Sequence, residues 1–283
     1  MKELEARVIA EEIKTLFMNT NYHIGTDVYS RLTKYRDKEA SPIGLNVLNQ
    51  LIENYDIANK ERIAICQDTG MSIIFIELGQ DVHIVGGDLT QAINQGVEAA
   101  YAEGYLRKSI VDDPLFTRIN TKTNTPAVIH IDIVPGETVR ILTVAKGFGS
   151  ENMSAMKMLV PADGVEGVKQ FVLDTVRKAG PNACPPLVVG VGIGGTMEKA
   201  AILAKKATAR NLEVHNTHPE YAKLEEDLLT SINKLGIGPG GLGGRTTAIG
   251  VNVEYFPTHI AGLPVAVNIC CHAARHASKE IVL

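Results

Sequence analysis

Apolar residues recur at helical spacing through the first sixty residues of the chain. Near the N-terminus they fall four positions apart or side by side, at Leu4, Val8, Ile9, Ile13 and Phe17. A second helix is predicted from Ser41, because Pro42 suits a first helical turn and the apolar residues that follow share one face. The pattern therefore predicts a helical N-terminal segment that ends at about residue 60.

Beyond this segment, short apolar runs broken by glycine and proline predict strands. These fall at 62–65, 71–78, 82–85, 127–134, 138–145, 187–193, 247–255 and 263–269, and the turn Pro135-Gly136-Glu137 predicts a hairpin between the fourth and the fifth. Further helices are predicted at about 88–103, 165–179, 197–210 and 219–235. We therefore expect an α/β fold of the mixed α+β type, with mixed sheets packed with helices. No repeat or linker is visible, so residues 1–283 are expected to form one domain.

Composition narrows the functional classes. The chain is 45% hydrophobic and 21% charged, as in ordinary globular proteins. Its formal net charge of -4 argues against a nucleic-acid-binding protein, which needs a basic surface. Residues 1–17 mix charged and apolar side chains, so they resemble neither a signal peptide nor a membrane span. A cytoplasmic protein with reduced thiols is therefore expected.

The cysteines Cys66, Cys184, Cys270 and Cys271 are the first candidates for chemistry. They form no CxxC pair, so a zinc ribbon or thioredoxin-like site is not indicated, and buried structural thiols are the plain alternative. Three of them lie where the chain is expected to turn, and such loops can present thiolates to an iron–sulfur cluster. Three ligands would leave one iron open to the hydroxyl of a hydroxy acid. Cys270 and Cys271 would point to opposite faces of a strand, and periodicity does not decide between them.

Polar and glycine-rich positions add further candidates. Asp68 is either a turn residue or a group for proton transfer, and His259 is either structural or catalytic. Arg107 and Arg245 each carry a guanidinium that can grip a carboxylate. The loop 146–152 (KGFGSEN) suits close approach of a ligand to the backbone, whereas 190–196 (GVGIGGT) suits an anion at a helix N-terminus.

Four segments together resemble the α subunit, or N-terminal region, of class I fumarate hydratases and the related L-tartrate dehydratases. They are CQDTG at 66–70, KGFGSEN at 146–152, CPP at 184–186 with the glycines of 190–196, and the stretch from His259 to Ala273. They keep the family's order over most of the chain. The resemblance implies a [4Fe–4S] cluster held by Cys66, Cys184 and Cys271. In the family a histidine stands twelve residues before the third ligand, as His259 stands before Cys271.

The same resemblance implies roles for the residues around the cluster. Gln67, Asp68, Arg107 and Gly149 match positions that contact the substrate, with Asp68 handling a proton, and His259 matches a residue near the pocket. The family's active site also uses Thr, Arg and Lys residues from a C-terminal region, and no separate β domain is expected in this chain. A separate β subunit is therefore expected, in αβ pairs that dimerise.

The expected activity is the reversible hydration of fumarate to (S)-malate. Dehydration of L-tartrate to oxaloacetate is the nearest alternative, because the two enzyme groups share these motifs and this chemistry. A nucleotide- or cofactor-binding module built on residues 190–196 is a more distant alternative and would contain no iron. No Walker motif accompanies that loop.

Overall fold

The computed structural model describes residues 2–283, which divide into two compact units. The first unit is built from residues 2–25, 55–147 and 275–283, and the second from 26–54 and 148–274. Each unit has its own four-stranded sheet and its own hydrophobic core. The expected mixed α/β fold is confirmed.

The helices and strands follow one another along the chain with few long irregular stretches. They are β1 (Lys2–Glu5), α1 (Ala6–Tyr22), α2 (Thr26–Arg36), α3 (Pro42–Glu61), β2 (Met71–Gly79), β3 (Val82–Val85), α4 (Leu89–Glu103), β4 (Val128–Val134), β5 (Thr138–Lys146), α5 (Phe148–Glu151), β6 (Ala155–Leu159), α6 (Gly164–Ala179), β7 (Leu187–Gly194), α7 (Met197–Ala207), α8 (Pro219–Asn233), β8 (Ala248–Phe256), β9 (Leu263–Cys270) and β10 (Arg275–Val282).

The first unit is built around a sheet with the strand order β10, β5, β2, β4. β5 is antiparallel to both β10 and β2, whereas β4 is parallel to β2. Helices α1 and α4 pack against each other and bury Phe17 and Tyr101 together with Ile76 and Ile141 of the sheet. A short parallel pair, β1 with β3, completes the unit.

The second unit is built around a sheet with the strand order β6, β9, β7, β8. β9 is antiparallel to β6 and to β7, and β7 is parallel to β8. Helices α6 and α8 cover one face, and α7 packs its alanines on the other. The register pairs Val188 with Cys270, so the start of β7 lies beside the end of β9.

The predicted hairpin between 127–134 and 138–145 is wrong. Both strands form, as β4 and β5, but β2 lies between them. Residues 72–76 of β2 are buried on both faces, whereas most of β4 is exposed or half-buried. A strand that is apolar on both faces is stable in the interior of a sheet, so β2 takes the position between its two neighbours.

The predicted strand at 62–65 is also wrong. Helix α3 extends to Glu61, and the chain then runs irregularly to β2. Ile65 is buried, but its N–H donates to the carbonyl of Asn21 rather than to a neighbouring strand. Cys66 therefore lies in a loop and not at the end of a strand.

Packing explains two glycines of the segment 190–196, Gly190 and Gly192. A β-carbon on Gly190 would lie 2.2 Å from the carbonyl oxygen of Ala204, and one on Gly192 would lie 2.1 Å from that of Ala200. Both oxygens belong to α7, which can approach β7 closely because these side chains are missing. The pattern that suggested a ligand-binding loop thus has a structural cause within the second unit.

Across residues 2–283, no helix combines the length and the apolar character that a membrane span requires.

Gly192→Ala should destabilise the protein by about 1–3 kcal/mol, because the new methyl group overpacks the contact between β7 and α7. Gly149→Ala is the control, since its β-carbon would meet nothing within 4 Å. Urea unfolding of both variants measures the difference. Equal midpoints would contradict the packing argument.

Candidate functional site

In the first unit, the loop 66–70 carries three of the predicted site residues. Gly70 packs this loop on the end of β5, where a β-carbon would lie 2.7 Å from the carbonyl carbon of Ala145 and 2.8 Å from the nitrogen of Lys146. Its φ of +82° also favours glycine. The loop is therefore anchored on the backbone where the KGFGSEN motif begins.

The two oxygens of the Asp68 carboxylate have different surroundings. One accepts a hydrogen bond within the turn, and the other lies near Gly147 of the KGFGSEN motif. Oδ1 accepts a hydrogen bond from the N–H of Gly70 at 3.0 Å. Oδ2 lies over Gly147, where a β-carbon would be 3.2 Å away. The side chain as a whole is partly exposed. The two interpretations of Asp68, turn residue and reactive group, are therefore compatible.

A layer of buried polar groups holds the loop 66–70. The hydroxyl of Tyr101 lies 2.8 Å from the carbonyl oxygen of Thr69 and 2.9 Å from that of Gly70, and it donates to them. Asn124 donates a further hydrogen bond to the carbonyl of Gly70 at 3.2 Å. Burial raises the pKa of Tyr101 to about 12, so its hydroxyl remains a donor at neutral pH.

Arg107 is joined to the same loop through its backbone. Its carbonyl accepts a hydrogen bond from the hydroxyl of Thr69 at 2.7 Å. The side chains of Arg107 and Gln67 are exposed, and that of Cys66 is partly exposed. The first unit thus brings Cys66, Gln67, Asp68 and Arg107 into one neighbourhood.

In the second unit, Cys184 and Cys271 lie at the same end of the sheet, because the start of β7 lies beside the end of β9. Cys184 precedes β7, has a φ of +53° and is exposed. Its carbonyl accepts a hydrogen bond from the N–H of His272 at 3.3 Å. The loop that leads into β7 is therefore joined to the loop that leaves β9.

The two adjacent cysteines differ in their surroundings. Cys270, the last residue of β9, is 4% exposed, whereas Cys271 is partly exposed. This difference agrees with the alternation of side chains along a strand. The four cysteines all lie among the described residues, and none is in a disulfide.

The remainder of the KGFGSEN motif belongs to the second unit. Glu151 forms an ion pair with Lys205 and accepts a hydrogen bond from Nδ2 of Asn268 at 3.0 Å. Ser154 accepts a hydrogen bond from the N–H of Ile269, also at 3.0 Å. Gly149 is exposed, with open space where a side chain would be. Local packing therefore fixes this segment without requiring glycine at position 149.

The remaining candidates lie in other loops of the second unit. His259 is exposed between β8 and β9, and its Nδ1 accepts a hydrogen bond from the N–H of Ala261 at 3.2 Å. A neutral ring then carries its proton on Nε2. Arg245 lines a cavity of about 840 Å³ between α2, α8 and β8, which none of the cysteines lines.

Sequence reasoning did not single out three buried groups beside the loop 66–70. They are Tyr101, Lys146 and Arg275, each at most 2% exposed. Lys146 is the first residue of the KGFGSEN motif, and Arg275 stands four residues after Cys271. In the part of the chain that the structure describes, no three His, Cys, Asp or Glu side chains are grouped to hold a metal ion.

Comparison with known proteins agrees with the resemblance drawn from the motifs. Residues 10–280 match the fumarate hydratase (Fumerase) family. The chain is 43% identical to the putative L(+)-tartrate dehydratase subunit alpha of Methanocaldococcus jannaschii, over 97% of this chain and 98% of that protein. It is 34% identical to the L(+)-tartrate dehydratase subunit alpha of Escherichia coli K12, over 89% and 84% of the two chains. The chain therefore belongs to the fumarate hydratase (Fumerase) family.

Proposed function

We propose that this chain is the α subunit of an iron–sulfur hydro-lyase that removes water from L(+)-tartrate. The strongest support is its 43% identity, over nearly all of both chains, to a relative named as a tartrate dehydratase α subunit. The sequence alone favoured fumarate, and the relatives' names favour the tartrate alternative. Hydration of fumarate to (S)-malate stays as the second candidate, because the family bears the name of that enzyme.

Cys66, Cys184 and Cys271 are the proposed ligands of a [4Fe–4S] cluster. Each cysteine ligand binds a different iron, so the three sulfurs need not meet at one atom. The loop positions and the accessibility of these thiols support this ligand set, as does the burial of Cys270. When bound, the cluster supplies an open iron that acts as a Lewis acid on the substrate hydroxyl.

Residues of the first unit would then bind the substrate and move its proton. Loss of water requires a base for the proton on the carbon next to the leaving hydroxyl, and we assign this role to Oδ2 of Asp68. The exposed guanidinium of Arg107 suits a bidentate contact with one carboxylate, and Gln67 suits a hydrogen bond to it. The hydrogen bond from the Thr69 hydroxyl to the carbonyl of Arg107 holds the backbone of Arg107 beside the loop that carries Asp68, which places both residues on the same side of the first unit's candidate site.

A second subunit is proposed to complete the site. Tartrate carries two carboxylates, and each needs donors or cations when it leaves water. The relatives are named as α subunits, which supports a β subunit that brings further cationic groups. His259 is proposed to lie near the resulting pocket. We further propose that αβ pairs dimerise and that the enzyme works in the reducing cytoplasm.

The substrate assignment is tested with the αβ complex, co-expressed and purified without oxygen. We expect kcat/KM for L(+)-tartrate to exceed that for (S)-malate by more than about tenfold, because a site that hydrogen-bonds a hydroxyl discriminates against a substrate that lacks it. D-tartrate is the stereochemical control. A preference for malate or fumarate would make the second candidate correct, and turnover of none of these acids would contradict a hydro-lyase.

Cys66→Ala, Cys184→Ala and Cys271→Ala should each lose most of the iron and acid-labile sulfide, because each removes a ligand. Cys270→Ala is the matched control, and its cluster content should equal that of the unchanged complex. Iron and sulfide analysis with visible absorption measures the outcome. Equal loss in the Cys270 variant would contradict the assigned ligand set.

Gly149→Ala should raise KM for the substrate by about tenfold, or about 1.4 kcal/mol of binding free energy, if the open space at this position receives the substrate. Its midpoint of thermal unfolding should stay unchanged, since the new methyl group meets nothing within 4 Å. An unchanged KM would remove Gly149 from the substrate site.

A further inference from the structure

Arg275 is a buried cation that the proposed reaction does not yet use. It is the first residue of β10 and is 2% exposed. Its Nη1 donates a hydrogen bond to Oδ1 of Asn21 at 2.9 Å, while its Nε is buried without a hydrogen-bond partner. A guanidinium is costly to bury, so its charge needs compensation nearby.

The carboxylate of Asp68 lies on the other side of the same glycine. A β-carbon on Gly147 would be 3.6 Å from Nη2 of Arg275 and 3.2 Å from Oδ2 of Asp68, so the two groups flank one point. The Gly147 backbone is itself held, because Nζ of the buried Lys146 donates to its carbonyl at 3.1 Å. The guanidinium of Arg275 and the carboxylate of Asp68, which carry opposite charges, therefore both lie close to the backbone of Gly147.

The phenol of Tyr101 is within electrostatic reach of both groups. Burial is the main cause of the raised pKa of Tyr101. The charge of Arg275 lowers this pKa, and the charge of Asp68 raises it. Tyr101 also holds the two carbonyls that follow Asp68 in the chain. The charge of Arg275 thus acts on Tyr101, one of the buried polar groups that hold the loop 66–70.

We propose that Arg275 is a positioning residue for the hydro-lyase reaction: its guanidinium, fixed by Asn21, keeps the Asp68 carboxylate oriented across Gly147. The inference rests on the proposed function, in which Oδ2 of Asp68 takes the proton from carbon. Arg275 itself does not touch the substrate. Its attraction prevents the carboxylate from turning towards solvent, as correct orientation of a base requires.

A double-mutant cycle in the αβ complex tests the proposal. Arg275→Met should lower kcat by about 10–100-fold, with KM within about twofold and the iron and sulfide content unchanged, because misplacing a reacting group costs rate. Asp68→Asn should lose more activity and also keep the cluster. In the Asp68→Asn background, Arg275→Met should cost less than about a further twofold, because a residue that acts through Asp68 has nothing left to orient.

Two further variants separate this effect from damage to the fold. Arg140→Met is the control on the neighbouring strand, where an exposed arginine pairs with Glu280, and its kcat should not change. Arg275→Lys keeps the charge, should recover part of the lost kcat, and replaces Arg275→Met in the cycle if that variant does not fold.

Multiplicative losses in the double variant, or an unchanged kcat in Arg275→Met, would overturn the positioning role. Failure of the proposed function looks different, since the unchanged complex would then turn over none of the hydroxy acids. The two failures are therefore distinguishable in the same set of assays.

Discussion

The close contact between the loop 66–70 and the end of β5 is the constraint on which the candidate site of the first unit depends. Position 70 tolerates no side chain, because backbone atoms of Ala145 and Lys146 occupy the space that a β-carbon would need. This contact brings Asp68 over Gly147 and leaves its carboxylate partly exposed. Tyr101 and Asn124, both buried, then hydrogen-bond to backbone carbonyls of the loop, so the side chain proposed as the base stands on a well-supported backbone.

The elements of the fold could largely be predicted from the sequence, but their arrangement could not. Helical spacing correctly gave α1, α3 and α4, and apolar runs gave β2, β7 and β9. The strand β10 escaped notice because its segment, RHASKEIV, is mostly polar and lies at the edge of its sheet. The pairing of β4 with β2 was equally hidden, since a turn signal reports only that the chain reverses and not which strand it will meet.

The residues of the candidate site likewise form two groups, one that could be predicted from the sequence and one that could not. The motifs around Cys66 and Cys184 and the segment to Cys271 were recognisable from their letters and their order. The groups that support them were not, because Tyr101 and Arg275 resemble ordinary helix and strand residues until folding buries them beside Asp68. Gly190 and Gly192 show the converse case: both belong to a pattern that is typical of ligand binding, and the packing of α7 on β7 is sufficient to explain them.

The first unit combines residues 2–25 and 55–147 with residues 275–283, and this separation along the chain has a consequence for its synthesis. β10 pairs with β5 along its whole length but is translated after residues 148–274, which belong to the second unit. During synthesis the ribosome therefore releases the whole second unit before the first can close its sheet. Until then β5 presents an unpaired edge, which invites association with other nascent chains. Removal of residues 275–283 would take a strand out of the sheet of the first unit, so an expression boundary placed before this strand would leave one edge of β5 unpaired.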